Sequence, residues 1–180
     1  MKILMEFLLL FSFARADSIG LERISVGLNS PFSDAVFKSL TKSGEGEVVL
    51  FCSLVYWSFD EPMDMKSMRS YAVGFGATSL IVQSLKYITN RERPDNFTSR
   101  SNSSFPSGHA TAAFYVASYF SSLHPKYSVP LYLWAGGVSL SRVYLRRHWP
   151  TDVLCGAILG YASGKIFYKI RNKFEVSPIF

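Results

Sequence analysis

Apolar residues along this chain gather in five blocks that approach membrane-spanning length, separated by short polar segments. The blocks cover Glu47–Phe59, Met68–Ile88, Ser107–Leu123, Val129–Leu145 and Val153–Ile170. A soluble domain of 180 residues rarely carries so many apolar blocks in a row. We therefore predict an all-α fold, a polytopic membrane bundle of five to six transmembrane helices, in which the shorter helices tilt or extend into the flanking turns.

The N-terminal segment resembles an export signal. Lys2 provides a positive charge, residues 3–13 are apolar, and a small-x-small pattern follows at 14–16. An uncleaved first membrane anchor explains the same pattern equally well. The predicted organisation is a signal peptide or first anchor over 1–16 and one domain over 17–180.

The segment 19–40 is amphipathic. Its apolar residues recur at helical spacing, with an interruption at Asn29-Ser30-Pro31. This pattern predicts a helix that lies along the membrane surface or packs on the bundle, and it does not distinguish the two.

The last apolar block contains Gly156, Gly160 and Gly164. A spacing of four residues places these glycines on one side of a helix, where they permit close packing against a neighbouring helix. We predict a structural role for them and assign them no chemistry.

Composition and charge limit the classes of partner that this chain is expected to bind. The formal net charge is +6, but Lys and Arg concentrate beside the apolar blocks, where topology and anionic lipids explain them. No nucleic-acid module is visible, so no nucleic-acid partner is predicted. The two cysteines, Cys52 and Cys155, lie inside apolar blocks, so we expect them to be buried. No Cys/His spacing indicates a metal site.

Three polar clusters interrupt this apolar chain. The first contains Lys86 and, after six residues, Arg93-Pro94, at the exit of an apolar block. A phosphoryl group needs several fixed cations around its oxygens, and arginine adds planar, bidentate geometry. A row of ordinary juxtamembrane charges would look similar for Lys86 alone.

The second cluster, Pro106-Ser107-Gly108-His109, opens the next apolar block. Proline is tolerated at a helix start, and the exposed amides of a first helical turn attract anions. His109 would then stand beside the bound anion as a proton donor. An ordinary helix start with an incidental histidine is the simpler alternative.

The third cluster joins Ser141-Arg142 to His148 and Asp152. Arg142 would be a third cation for the phosphate. A carboxylate four residues after a histidine can bind one imidazole nitrogen and leave the other as a nucleophile. Asp152 also has a structural alternative, because acidic residues favour the first turn of a helix.

Taken together, these motifs resemble the type 2 phosphatidic acid phosphatase (PAP2) superfamily, over about residues 40–168. The resemblance implies that His148 is a nucleophile that forms a phosphohistidine, that Asp152 orients it, and that His109 protonates the leaving group. It also implies a set of phosphate ligands. These are Lys86, Arg93, Ser107, Gly108 and Arg142. The resemblance implies no metal and no cofactor.

Two features depart from the commonest family pattern. Glu92 separates the two arginines of the first cluster, and Arg146-Arg147 precede His148 where small or apolar residues are frequent. None of the three occupies a motif position. We expect them to influence the choice of substrate, with the arginines favouring a strongly anionic headgroup.

The expected function is that of a bacterial lipid-phosphate phosphatase. If the chain starts in the cytoplasm, the segments 18–46, 89–105 and 146–151 fall outside, which places the three clusters at the periplasmic face of the cytoplasmic (inner) membrane. The candidate substrates are lipid A 1-phosphate, undecaprenyl diphosphate and phosphatidylglycerophosphate. The sequence leaves the choice among them, and the oligomeric state, open.

Other functions are compatible with the same motifs. A lipid phosphotransferase would pass the phosphate from the phosphohistidine to a second lipid instead of water. A soluble acid phosphatase or vanadium haloperoxidase would leave the apolar blocks unexplained. A catalytically silent lipid-binding protein would be expected to lack motif residues, whereas all of them are present.

Overall fold

The computed structural model describes residues 16–58, 64–96 and 99–174, whose regular structure is entirely helical. The helices are α1 (16–27), α2 (Pro31–Ser43), α3 (Gly46–Ser58), α4 (Met65–Thr89), α5 (Gly108–Leu123), α6 (Ser128–Tyr144) and α7 (Pro150–Lys169). Short 3₁₀ turns cover Arg100–Asn102, Pro125–Tyr127 and Arg171–Phe174. The five apolar blocks all form helices, and the observed ends lie within three residues of the predicted ones.

The N-terminal region differs from the prediction in its helices. The segment 19–40, predicted as one interrupted amphipathic helix, forms two helices, because α1 ends at 27 and α2 begins at Pro31. The Ser30 side chain caps α2 by accepting a hydrogen bond from the Ser33 amide at 3.1 Å. Most of the predicted signal peptide or anchor, residues 1–15, lies outside the described residues.

The core is built around α5, whose aromatic residues pack against α3, α4 and α7. Tyr115 donates a hydrogen bond to the Tyr71 carbonyl at 2.8 Å, and Tyr119 donates to the Ser67 carbonyl at 2.6 Å. Both tyrosines are fully buried, so their hydroxyl groups need these partners. The aromatic core therefore fixes α5 against α4 in one register.

The helices α5 and α7 approach each other along a glycine seam formed by Gly156, Gly160 and Gly164. A Cβ atom on Gly156 would lie 2.6 Å from the Ser107 carbonyl oxygen, and one on Gly164 would lie 2.6 Å from the Tyr115 carbonyl oxygen. Only a residue without a side chain permits such a close approach of two backbones. The prediction that these glycines share one packing face is confirmed.

The outer surface of the bundle is apolar. Leu80, Leu133 and Ile158 are 71%, 71% and 60% exposed, respectively. Cys52 is also exposed and Cys155 is half-buried, so the expectation that both cysteines are buried is wrong. Both thiols are free. Within the described ranges, no helix combines the length and the apolarity needed to cross a membrane.

The polar clusters meet at one end of the bundle. The helices α4 and α6 end there, and α5 and α7 begin there. The amide of Ser107, which precedes α5, donates a hydrogen bond to the carbonyl of Asp152 in the first turn of α7 at 3.0 Å. The alternation of helix directions therefore brings together motifs that are far apart in the sequence.

Candidate active site

A cavity of about 630 Å³ opens at this end of the bundle. Its wall contains cationic side chains from three separate segments together with both motif histidines. The motif residues in the wall are Lys86, Arg93, Gly108, His109, Arg142 and His148. The structure thus brings the three clusters to a single concave surface.

Lys86 lies in the last turn of α4 and is almost fully buried. Its Nζ donates a hydrogen bond to the Ser103 carbonyl at 2.5 Å, and the Ser103 hydroxyl donates to the Lys86 carbonyl at 2.7 Å. A buried ammonium requires such partners, because it has lost its hydration. The paired contacts hold the lysine in place at the cavity wall.

Arg93 lies in the loop after α4 and is fixed by Asn102, later in the same loop, and by the segment between α6 and α7. Its Nε donates to the Asn102 carbonyl at 3.0 Å, and one Nη donates to the Asn102 side-chain oxygen at 2.5 Å. Its other Nη lies 3.4 Å from the Arg147 carbonyl oxygen. These contacts hold the guanidinium in the cavity wall, where its charge can attract an anion.

Arg142 is the third cation of the wall and comes from the last turn of α6. One Nη donates to the Thr41 hydroxyl of α2 at 2.5 Å. Its Nε is buried and has no hydrogen-bond partner among the described residues. A buried guanidinium N–H without a partner is costly, so this donor is suited to an oxygen of a bound anion.

The second motif forms the start of α5. Gly108 and His109 line the cavity, whereas Ser107 is fully buried and is not part of the wall. The Ser107 hydroxyl hydrogen-bonds no described residue. This hydroxyl and the free amides of the first helical turn are donors of the kind that bind phosphate.

His148 is held by a backbone carbonyl. Its Nδ1 lies 2.7 Å from the Ser104 carbonyl oxygen, and the side chain is 2% exposed. Because a carbonyl can only accept, Nδ1 carries the proton and Nε2 has a free lone pair. This is the tautomer that a nucleophilic Nε2 requires.

Asp152 does not make the direct hydrogen bond that its spacing from His148 suggests. Its Oδ2 lies 3.9 Å from His148 Nδ1, beyond hydrogen-bond distance. The same oxygen accepts hydrogen bonds from the Ser104 hydroxyl at 2.5 Å and the Trp149 amide at 2.9 Å. The carboxylate therefore acts on His148 through Ser104 and through its negative charge.

The surroundings set the protonation states of this pair. Burial lowers the pKa of His148 to about 4; the Asp152 carboxylate opposes this shift, and the charges of Lys86, Arg142 and Arg93 add to it. Burial by itself raises the pKa of the Asp152 carboxyl. The nearby His148 ring, the hydrogen bond from Ser104 and the positive charge of Arg91 outweigh burial, so that the pKa of this carboxyl lies below its usual range. A neutral imidazole therefore stands beside an ionised carboxylate at neutral pH.

This assignment predicts the titration of His148. In ¹⁵N-histidine-labelled protein, the His148 ring should stay neutral with Nδ1 protonated from pH 8 down to about 4, rather than titrating near 6.5. Because the folded-state pKa is the lower one, the corresponding stability is complete above about pH 6.5 and is lost as the pH falls toward 4. The spectrum of a His148→Asn variant assigns the signal among the three histidines. A midpoint near 6.5 would contradict the buried, carbonyl-bound geometry.

The three residues expected to influence substrate choice occupy different positions. Arg147 lines the cavity and pairs with Asp95 at 2.8 Å. The Arg146 side chain points elsewhere, and its Nε lies 3.3 Å from the Ser25 hydroxyl of α1. Glu92 is exposed and absent from the cavity wall. Only Arg147 is therefore placed to contact a substrate in this cavity.

Sequence reasoning missed several residues that support the site. Asn102, Ser103 and Ser104 hold Arg93, Lys86 and His148, mostly through backbone carbonyls. The only signal for them was their place in a long polar loop, which is often functional in a compact bundle. Arg91 and Asp17, both in contact with the Thr151–Asp152 turn, had no motif to mark them.

Comparison with known proteins agrees with this geometry. The model of the PAP2 superfamily matches residues 67–175, more than half of the chain. The chain belongs to the PAP2 superfamily. This match confirms the resemblance inferred from the three motifs.

The chain is similar to the lipid A 1-phosphatase of Porphyromonas gingivalis, with 38% identity over 117 residues, 63% of this chain and 26% of that protein. It spans less than half the length of each of the five curated relatives compared. The crystal structure of Aquifex aeolicus LpxE has a TM-score of 0.71 with 26% identity, covering 83% of this chain and 92% of that one.

A second solved structure has the same fold. It is described as the first transmembrane PAP2-type phosphatidylglycerolphosphate phosphatase, from Bacillus subtilis. The TM-score is 0.70 with 22% identity, covering 94% of this chain and 90% of that one. The predicted all-α bundle with a PAP2-type core is confirmed, and it is a fold of transmembrane phosphatases.

Proposed function

We propose that this protein is a membrane lipid-phosphate phosphatase that removes phosphate from an envelope lipid through a phosphohistidine on His148. The main support is that a neutral His148 lies in the wall of a cavity shared with three cationic side chains and His109. This arrangement supplies a nucleophile, positive charge for the phosphoryl oxygens and a proton donor. Family membership makes the same chemistry the natural expectation.

Binding of the phosphate uses groups that are already in place. Lys86, Arg93 and Arg142 neutralise the charge on the phosphoryl oxygens, which is the main task of a protein in phosphoryl transfer. The Ser107 hydroxyl and the Arg142 Nε, both buried without a partner among the described residues, gain acceptors when an anion arrives.

The reaction then proceeds in two displacements. The Nε2 lone pair of His148 attacks phosphorus, the bond between phosphorus and the lipid oxygen breaks, and His109, protonated in the complex with the anionic phosphate, gives that oxygen a proton. Water next attacks the phosphohistidine while His109 takes a proton from it. The P–N bond breaks, and inorganic phosphate leaves. The Ser104 carbonyl and the Asp152 charge stabilise the positive imidazole during both steps.

The substrates are proposed to be lipid A 1-phosphate, undecaprenyl diphosphate or phosphatidylglycerophosphate. Three of the five curated relatives are named as lipid A 1-phosphatases, which favours the first of these, and one is named as phosphatidylglycerophosphatase B, which keeps the third as a candidate. Arg147 at the cavity wall adds a further cation for a strongly anionic headgroup.

The proposed location is the bacterial cytoplasmic membrane, with the cavity facing the periplasm. The exposed apolar side chains of α4, α6 and α7 would then contact lipid tails rather than water. The cations at the opposite end of the bundle, Lys165, Lys169, Arg171 and Lys173, agree with this orientation.

A phosphate-release assay on a panel of purified lipids tests the proposal. We expect release from at least one of the three candidate lipids, and none in a His148→Ala control. Adding a labelled acceptor lipid separates hydrolysis from phosphotransfer, because a phosphotransferase would label the acceptor instead of releasing phosphate. Binding of the lipids without either product would contradict the proposal and favour a silent lipid-binding protein.

A further inference from the structure

Asp17 is a buried carboxylate far from the motifs in sequence. It lies in α1, outside the segment that matches the PAP2 superfamily, and is only 2% exposed. A buried carboxylate is costly unless it is paired or hydrogen-bonded. Its contacts therefore show what this part of α1 does.

Among the described residues, the hydrogen bonds of the Asp17 carboxylate go to Thr151, within the third motif, and to Arg91. Its Oδ1 accepts from the Thr151 amide at 2.9 Å. Its Oδ2 accepts from the Thr151 hydroxyl at 2.6 Å and from Arg91 at 2.7 Å. Thr151 is the second residue of α7, so Asp17 satisfies one of the free amides at this helix start from another helix.

Arg91 connects Asp17 to the catalytic segment. One Nη binds Asp17, and the other binds the Asp152 Oδ1 at 2.5 Å and the Thr151 hydroxyl at 2.8 Å. The guanidinium also lies 5.7 Å from the ring centre of Trp149. One cation thus bridges two carboxylates that are each at most 2% exposed.

The chain of contacts continues to the nucleophile. The other oxygen of Asp152 holds the Ser104 hydroxyl, and the Ser104 carbonyl holds His148 Nδ1. The Ser104 amide donates to the Arg91 carbonyl at 2.8 Å, so Arg91 also fixes this loop through its backbone. The Ser104 carbonyl and the Asp152 carboxylate, which both face His148 Nδ1, are therefore both tied to Arg91.

We propose that Arg91 and Asp17 are positioning residues that hold the Asp152–Ser104–His148 arrangement in its reactive geometry. This inference rests on the proposed phosphohistidine reaction and extends it to a helix outside the family motifs. Arg91 keeps Asp152 in place, and Asp17 keeps Arg91 in place while fixing the start of α7. Neither residue lines the cavity, so neither contacts the phosphate.

A purely structural role would have a different signature. If the network only fastens α1 to the bundle, its loss lowers the melting temperature but leaves kcat and KM of the folded molecules unchanged. If it positions His148, kcat falls while KM stays nearly constant, because the phosphate ligands are untouched.

The balance of buried charges provides a second way to distinguish a positioning role from a purely structural one. Removing Arg91 leaves two buried carboxylates without their shared cation. Their uncompensated charges destabilise the site more than the loss of a single hydrogen bond would. Removing the Asp17 charge as well relieves that repulsion. A double variant should therefore be more active than the Arg91 variant alone.

The test measures kcat, KM and melting temperature for Asp17→Asn, Arg91→Gln and the double variant, on the lipid that the unaltered protein hydrolyses best. We expect kcat to fall about 100-fold for Arg91→Gln and about tenfold for Asp17→Asn, as for a misplaced catalytic group. In the double variant, we expect kcat about fivefold above that of Arg91→Gln. Glu22→Gln is the matched control, since Glu22 is an exposed acid on the same helix.

The inference is overturned if kcat of both single variants stays near that of the unaltered protein, or if the double variant is no better than Arg91→Gln. If Arg91→Gln does not fold, Arg91→Lys replaces it in the same comparison, with a loss of kcat again expected. Failure of the proposed function looks different, because the unaltered protein would then release no phosphate from any lipid. If the unaltered protein is active and His148→Ala is inactive, then the kcat values of the Asp17 and Arg91 variants test the positioning role alone.

Discussion

Replacing His148 by asparagine should lower kcat by at least about 10⁴-fold, the scale seen when a catalytic nucleophile is removed. Asparagine can still donate to the Ser104 carbonyl, so the loop that holds the ring has a substitute partner. What is lost is the Nε2 lone pair, without which no phosphohistidine forms. The measurement is phosphate release under single-turnover and steady-state conditions.

Trapping the intermediate makes this prediction specific. With a ³²P-labelled lipid and an alkaline quench, which preserves the P–N bond, label should appear on the unaltered protein and be absent from His148→Asn. The matched control is His124→Gln. His124 is the third histidine, lies beyond the far end of α5 and hydrogen-bonds Tyr56. Turnover of this control should stay close to that of the unaltered protein. Label remaining on His148→Asn would show that another residue is the nucleophile.

Replacing His109 by glutamine should lower kcat on the lipid substrate by about 10³-fold, within the range for general acid–base catalysis. The expected defect depends on the leaving group. A lipid alkoxide needs a proton to leave, whereas nitrophenolate leaves without one. With nitrophenyl phosphate, the first step should therefore approach its normal rate, while hydrolysis of the phosphohistidine stays slow.

A burst experiment detects this change of rate-limiting step. The His109→Gln variant should release about one equivalent of nitrophenolate per active site and then slow down, with the protein left phosphorylated. An equal loss of the first-step rate, measured in single turnovers with the lipid and with nitrophenyl phosphate, would contradict the role of His109 as the proton donor. His124→Gln again serves as the control, because it removes an imidazole away from the cavity.

The helices α3 to α7 could be predicted from the sequence because each contains a contiguous apolar block. The block Met68–Ile88, for example, became the helix Met65–Thr89. The break between α1 and α2 was harder to recognise. Apolar residues recur at helical spacing on both sides of the Asn29-Ser30-Pro31 interruption, and only the cap at Ser30 and the proline show that a new helix starts.

The cavity residues could be predicted because the motif spacing is a property of the sequence itself. Their partners could not. The carbonyl groups of Asn102, Ser103 and Ser104 bind the charged and imidazole groups, and a carbonyl is present at every residue. Only the path of the loop decides which carbonyl faces inward.

The relation between Asp152 and His148 is a second case in which the sequence does not reveal the hydrogen-bond partner. A spacing of four residues suggested a direct hydrogen bond, but His148 lies in the turn before α7, so helical spacing does not apply to it. The Ser104 carbonyl occupies the expected position instead. The burial of Cys52 was misjudged for a related reason, since an apolar block does not reveal which face of its helix points outward.

The glycine seam has a consequence for how this enzyme tolerates mutation. His109 lies one residue into α5 and His148 two residues before α7, so the two backbones in contact also set the separation of the two imidazoles. A methyl group added at Gly156 would meet the Ser107 carbonyl, which directly precedes the phosphate-binding turn. Under the proposed mechanism, a side chain added at this interface would therefore disturb catalysis as well as folding, although no atom of these glycines takes part in the reaction.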